Sequence, residues 1–161
     1  MEQLYREARV PAELYSLEQL PPDVFRPEAY ADKPPAVQTI QQRVLDAAGL
    51  HVVTPEYNGS FPGVLKYFID LLKFPESFDR KPAAFVGVTV GTWGALRAVE
   101  QLQMVFGYRH AHLYPDRVFI SGVRDKIAAG GGLSDIDLER RLARQVSGFA
   151  QFCGLFRAPT A

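Results

Sequence analysis

The chain predicts an α/β fold in which a parallel sheet carries helices on both faces. Three observations support this. Short apolar runs alternate along its 161 residues with segments whose apolar residues recur every three or four positions. After a short first helix, the segments follow one another as strand and helix, four times over, the order that right-handed crossovers join into a parallel sheet. The run Val52–Gly63 is itself built as a strand end, a sharp turn and a helix start. In open α/β sheets ligands sit outside the carboxyl ends of the strands, where such loops lie.

In chain order, Met1 to Ala8 reads as a helix, with Leu4 and Tyr5 among good helix formers. Val10 to Leu17 alternates in part, Ala12, Leu14 and Ser16 against Glu13, Tyr15 and Leu17, and is expected to be a strand. Pro21, Pro22 and Pro27 then break the chain into a loop. A helix over 36–48 carries Val37, Ile40, Val44 and Leu45 on one stripe, and Gly49 ends it. Leu50 to Thr54 is a nearly unbroken apolar run, expected to be buried on both faces. Asn58-Gly59 tolerates positive φ and lets the backbone bend tightly. Ser60 offers a hydroxyl cap to the next helix, and Pro62 suits its first turn. That helix spreads Val64, Leu65, Phe68, Ile69, Leu71 and Leu72 over more than one narrow stripe. Part of it therefore needs a further partner: a second subunit first, the chain's own loops second.

Ala83 to Val90 reads as another buried strand, followed by the flexible loop Gly91-Thr92-Trp93-Gly94. A helix over 95–106 has Leu96, Val99, Leu102 and Phe106 at helical spacing, with Gly107 as its stop. His112 to Ser121 is the last strand, and Pro115 within it implies an edge position or a bend. Ile127 to Leu133 contains Gly130-Gly131-Gly132 and should be mobile. Ser134 with Asp137 makes a capping-box-like start for a final helix that ends near Cys153, with Leu138, Leu142, Phe149 and Phe152 inward.

Composition excludes several classes. Eighteen basic and eighteen acidic side chains cancel, so no net field draws the chain to nucleic acid or to an anionic membrane. The single Cys153 excludes an internal disulfide framework and fits a reducing cytoplasm. No run is long and apolar enough for a transmembrane helix, and the first residues lack the apolar core of a signal peptide. One domain over 1–161 is expected. His110 and His112 read as a surface pair, because metal ligation needs more partners than stand nearby. Arg140, Arg141 and Arg144 read as a solvated helix face, and Cys153 as core. Arg97 is read two ways, as ordinary helix surface or as the partner of a carboxylate or an anionic ligand.

The stretch Pro55-Glu56-Tyr57-Asn58-Gly59-Ser60-Phe61-Pro62-Gly63-Val64-Leu65-Lys66-Tyr67-Phe68-Ile69-Asp70 closely resembles the signature of the NADPH-dependent FMN reductase family, flavoproteins that reduce chromate, quinones and azo compounds. Gly87 to Leu102 is also similar, and the resemblance extends over 1–156. It implies a flavodoxin-like three-layer α/β/α fold with a parallel sheet, FMN as cofactor and NADPH or NADH as co-substrate. It further implies a small-molecule electron acceptor and a homodimer or homotetramer. On this resemblance Pro55, Glu56, Tyr57, Asn58, Gly59 and Ser60 line the flavin, partly through backbone N–H groups. Gly91, Thr92, Trp93 and Gly94 match the second flavin loop. Trp93 departs from the small residue usual there, and either stacks on the ring or fills the ring's place. No side chain needs to act as acid, base, nucleophile or metal ligand, since a flavin carries the hydride chemistry itself.

The family pattern opens with a strand and a Gly-Ser-x-Arg-x-x-Ser-type loop that holds the FMN phosphate at a helix N-terminus. Here Met1 to Ala8 matches the end of the helix that follows that loop, so the first strand and the phosphate loop are expected to be missing. Three accounts stand open: a start at an internal Met, a shortened relative that has lost flavin, or a strand supplied by a partner subunit. The alternative function is a flavin-free subunit with an assembly or regulatory role.

Overall fold

The computed structural model describes residues 1–156. Strands β1 (Leu50–Pro55), β2 (Pro82–Val88) and β3 (His112–Ile120) form one parallel sheet in that order, which matches the last three strands of the flavodoxin-like arrangement. Helices α1 (Glu2–Glu7), α2 (Pro35–Asp46), α3 (Gly63–Leu71), α4 (Leu96–Tyr108) and α5 (Ile136–Gly154) flank it. Successive residues of the central strand feed opposite cores, as the strand period requires. Phe85 packs with Leu65, Ile69, Val99, Leu102 and Phe106 under α3 and α4. Val86 packs with Leu4, Val118, Leu142 and Val146 under α1 and α5.

Only three strands form among the described residues, and Val10–Leu17 is not one of them. A strand needs a ladder partner, and nothing described pairs with the outer side of β1. Residues 10–16 run irregularly to a 3₁₀ turn at Leu17–Gln19, while Tyr15 and Leu17 turn inward onto α3. The proline-rich loop contains two further 3₁₀ helices, Pro22–Phe25 and Pro27–Tyr30, each opened by its proline. This folded segment also settles what covers α3. Tyr15 stacks on Phe68 at 5.9 Å and Phe25 on Tyr67 at 5.2 Å, and the Tyr67 hydroxyl donates to the Val24 carbonyl. The chain's own loops, the second-named partner, therefore cover the side of α3 that carries Tyr67, Phe68 and Leu71.

The edge position of β1 corrects a second expectation. Rather than buried on both faces, β1 leaves Val53 45 % exposed on the α1/α5 side. Pro115 behaves as expected: β3 is the other edge, and its ladder to β2 shifts register between Ala83 and Phe85.

Helix ends are decided by distant partners. The carbonyls of Val44, Leu45 and Ala47 at the end of α2 all accept from Lys81 Nζ, at 2.6, 3.0 and 2.6 Å, and burial there lowers the lysine pKa. Gly49 is needed for packing, not as a stop, because a Cβ there would lie 2.5 Å from Cys153 Sγ. α4 continues through Gly107 to Tyr108, and the left-handed turn falls at His110. α5 is capped by Asp135, whose carboxylate accepts from Leu138 N–H at 3.0 Å and is held below its usual range by that bond. Ser134 instead donates to the Asp125 carbonyl. Gly130–Gly132 closes a small turn beneath an Ile127–Leu133 bridge, with positive φ at Gly131 and Gly132.

One buried polar chain joins the layers. Gln145 Nε2 donates to the carbonyls of Phe85 and Asp116, each at 2.9 Å, across the shifted ladder. With both amide protons used, its oxygen must accept, and it does so from His51 Nε2 at 3.2 Å. His51 Nδ1 then accepts from the Tyr5 hydroxyl at 2.7 Å. Burial pushes the His51 pKa down to about 4, so the ring is neutral at pH 7.

Candidate functional site

The carboxyl ends of β1 and β2 lie side by side, Pro55 opposite Val88, so the loops after them emerge at one sheet edge. The first loop is a tight two-residue hairpin. Tyr57 N–H donates to the Ser60 carbonyl at 2.8 Å and Ser60 N–H to the Tyr57 carbonyl at 3.1 Å. Asn58 and Gly59 between them sit at φ +52° and +79°, the conformation for which an Asn-Gly pair is suited. Ser60 does not cap α3; Pro62 stands at that position with no side-chain bond. The serine hydroxyl donates instead to Gln101 Oε1 at 2.6 Å, and Gln101 Nε2 donates back to the Gly59 carbonyl at 3.1 Å. One turn earlier on α4, Arg97 Nε donates to Glu56 Oε1 at 3.0 Å. The loop is thus fastened to the first two turns of α4.

The second loop is fixed by close backbone approach. Gly91 N–H donates to Thr89 Oγ1 at 3.2 Å, and the Trp93 carbonyl accepts from Leu96 N–H at 3.0 Å to open α4. Gly94 has φ +60°, and a Cβ there would lie 2.8 Å from the Phe119 Cβ; a Cβ on Gly87 would lie 2.3 Å from the Gly94 carbonyl. Neither glycine has room for a side chain, so the loop is pressed against β2 and β3. One helix therefore carries both loops, the second as its start and the first by hydrogen bonds.

The aromatic residues stand outside their own fold. Tyr57 is 62 % and Trp93 64 % exposed, so both rings present most of their surface to solvent. Asn58, Gly91 and Thr92 are also exposed, Pro55, Glu56, Gly59 and Ser60 are half-buried, and Gly94 is buried and acts through backbone position. The Glu56 side chain is 11 % exposed. Its Oε1 pairs with Arg97, while Oε2 is buried without a hydrogen-bond partner among the described residues, an acceptor that still requires a donor.

All ten residues proposed from sequence lie on these two loops. Sequence reasoning misses Gln101 and leaves Arg97 open to two readings. Their i, i+4 spacing on one helix face was the available signal. Among the described residues no cluster of His, Cys, Asp or Glu can hold a metal ion. His110 faces Asp79 at 3.6 Å and His112 stacks on Phe156 at 4.1 Å, so the histidine pair is not a ligand set. No described helix is long and apolar enough to cross a membrane.

Comparison with known proteins follows this geometry. The NADPH-dependent FMN reductase family profile matches residues 1–125. An NAD(P)H-dependent FMN reductase of Pseudomonas aeruginosa is 37 % identical over 115 residues, which are 70 % of this chain and 62 % of that protein. A 2-hydroxy-1,4-benzoquinone reductase of a Burkholderia species is 34 % identical over 116 residues, 70 % of this chain and 63 % of the relative. The chain thus spans less than two thirds of the length of these relatives. Among solved structures, the flavoenzyme NAD(P)H:(acceptor) oxidoreductase FerB from Paracoccus denitrificans superposes with a TM-score of 0.80 at 26 % identity. That superposition covers 96 % of this chain and 86 % of FerB.

Proposed function

The chain belongs to the NADPH-dependent FMN reductase family, and from that premise we propose that its two loops hold the ring of FMN, with NADPH or NADH as reductant and a small molecule as acceptor. Bound FMN would supply the hydride chemistry, so the protein's task is to bind, orient and exclude. Pro55, Glu56, Tyr57, Asn58, Gly59 and Ser60 form one wall, and Gly91, Thr92, Trp93 and Gly94 the other. The observation that carries this reading is that α4 fastens both loops side by side at the carboxyl edge of β1 and β2, with the Tyr57 and Trp93 rings largely exposed there. Both loops are pre-set by α4, which lowers the ordering entropy a ligand must otherwise offset.

A second copy of the chain is part of the proposal. Met104 and Tyr108 are exposed on the outer face of α4, on the same stripe as Arg97 and Gln101, and a homodimer or homotetramer would cover them. Residence in a reducing cytoplasm accords with a single cysteine.

The test is direct. Purified protein titrated with FMN should give saturable binding by equilibrium dialysis, a flavin absorption band, and NADPH or NADH oxidation when an acceptor is added. No binding together with no oxidation of either nucleotide defeats the reading. Light scattering at micromolar concentration should give a multiple of the 18.0 kDa chain mass; a monomer removes the assembly part alone.

A further inference from the structure

We infer that the chain carries a second ligand site, for a small anion of two or more negative charges, at the sheet edge opposite the two loops. The site is a cavity of about 450 Å³, a size usual for small-molecule pockets. Phe74 lies between the end of α3 and β2, and Arg109 between the end of α4 and β3. Both line the cavity, which therefore lies at the amino edge of the strands. Gln41 of α2 also lines it. That side chain is buried, and its Nε2 donates to the Leu71 carbonyl at 2.5 Å, tying α2 to the end of α3.

Charge carries the inference. Lys33, Lys73 and Arg109 line this cavity against a single carboxylate, Asp70. Both oxygens of Asp70 accept from Lys66 Nζ, at 2.8 and 2.7 Å, so that carboxylate is already matched. Among the described residues no ion pair takes any of the three lining cations. Asp46, Glu76 and Asp79 line a separate cavity, and Asp32 is exposed and lines neither. Arg109 is the anchor. It is half-buried, with its guanidinium 4.4 Å from the Phe74 ring centre and 5.1 Å from that of Phe78. Those rings hold it in place, while among the described residues no group accepts from its side-chain N–H donors. A planar fork with free donors fits the paired oxygens of a carboxylate or a phosphate. Lys33 is held as well. Its Nζ donates to the Tyr30 carbonyl at 2.9 Å, and its carbonyl accepts from Gln38 Nε2 at 2.9 Å. An ammonium so placed keeps further protons for a ligand. Three positive charges around one matched carboxylate favour a polyvalent anion, as a phosphate ester or a dicarboxylate.

The experiment titrates the full chain with inorganic pyrophosphate, succinate and acetate by calorimetry at low salt. Pyrophosphate or succinate should bind saturably with a Kd below about 1 mM, and acetate about tenfold more weakly or worse. The tighter of the first two identifies the source of the charge, phosphate or carboxylate. Arg109→Gln should weaken that ligand by about tenfold or more. Arg124→Gln removes a cation after β3, at the opposite edge of the sheet, and should leave binding unchanged. Because Arg109 also packs on two rings, the double variant Lys33→Gln/Lys73→Gln provides a second reading and should show a comparable loss. No saturable binding of either polyvalent anion overturns the inference. Acetate bound as tightly, full affinity in the double variant, or a loss in Arg124→Gln as large as in Arg109→Gln overturns it as well. The site does not depend on the flavin reading: failure of FMN to bind defeats that reading and leaves this one standing.

Discussion

The two faces of the sheet each depend on one glutamine, and the two glutamines do different work. On the α4 side, half-buried Gln101 bonds to Ser60 and to the Gly59 carbonyl, joining a helix to a rim loop. On the α5 side, Gln145 is fully buried and bonds to two strand carbonyls and to His51. The same amide in two environments has two consequences. In the rim, water can replace a lost bond, so the amide mainly sets where the loop sits. In the layer, nothing can replace it, so the amide sustains the fold.

Cutting each junction should separate shape from stability. The largest effect is expected for Gln145→Leu, which leaves two carbonyls and an imidazole N–H buried and unpaired. Unfolding free energy from urea titration should fall by about 3 kcal/mol or more, with little change in the FMN affinity of the folded protein. If the loss is under about 1 kcal/mol, the contrast between the two junctions fails.

Next in size is the pH dependence of the same chain of groups. His51 is held down to about 4 by burial, so the folded protein binds fewer protons at this site than the unfolded chain. The contribution is complete above the unfolded value of about 6.5 and is lost as pH falls from there through 4. That amounts to about 3 kcal/mol across the window. Urea midpoints measured from pH 7 to pH 4 should show this slope, and His51→Asn should flatten it.

On the rim, Gln101→Ala should weaken FMN binding by about tenfold, or ~1.4 kcal/mol, through a loosened loop. Unfolding free energy should change by less than about 1 kcal/mol. Equal losses in affinity and stability would mean that the rim and the layer are not distinct. The smallest effect is expected for Tyr5→Phe, which removes a single donor to His51 and should destabilise by ~1 kcal/mol without changing flavin affinity.

Parts of this arrangement were legible without coordinates because their causes are local. Asn58-Gly59 announces a left-handed turn, since few other pairs tolerate positive φ twice. The nearly continuous apolar run Ala83–Val90 announces a buried strand. Ser60 was misread for a definite reason. Its hydroxyl was free to cap its own helix by local rules, and its actual partner, Gln101, lies 41 residues away. Gly49 looked like a helix stop but answers to Cys153, and Ser134 lost the cap to its neighbour Asp135. Val10–Leu17 has the pattern of a strand but no ladder to join.

From sequence alone came the α/β layering, three of the four expected strands, the family and the two candidate loops, because hydrophobic period and turn chemistry act over a few residues. Tertiary structure alone decided that one helix fastens both loops, that Glu56 is half met by Arg97 and half left open, and that the tryptophan faces outward. Those outcomes depend on which distant groups arrive at a given point with a donor, an acceptor or a volume to exclude, and no local pattern encodes that.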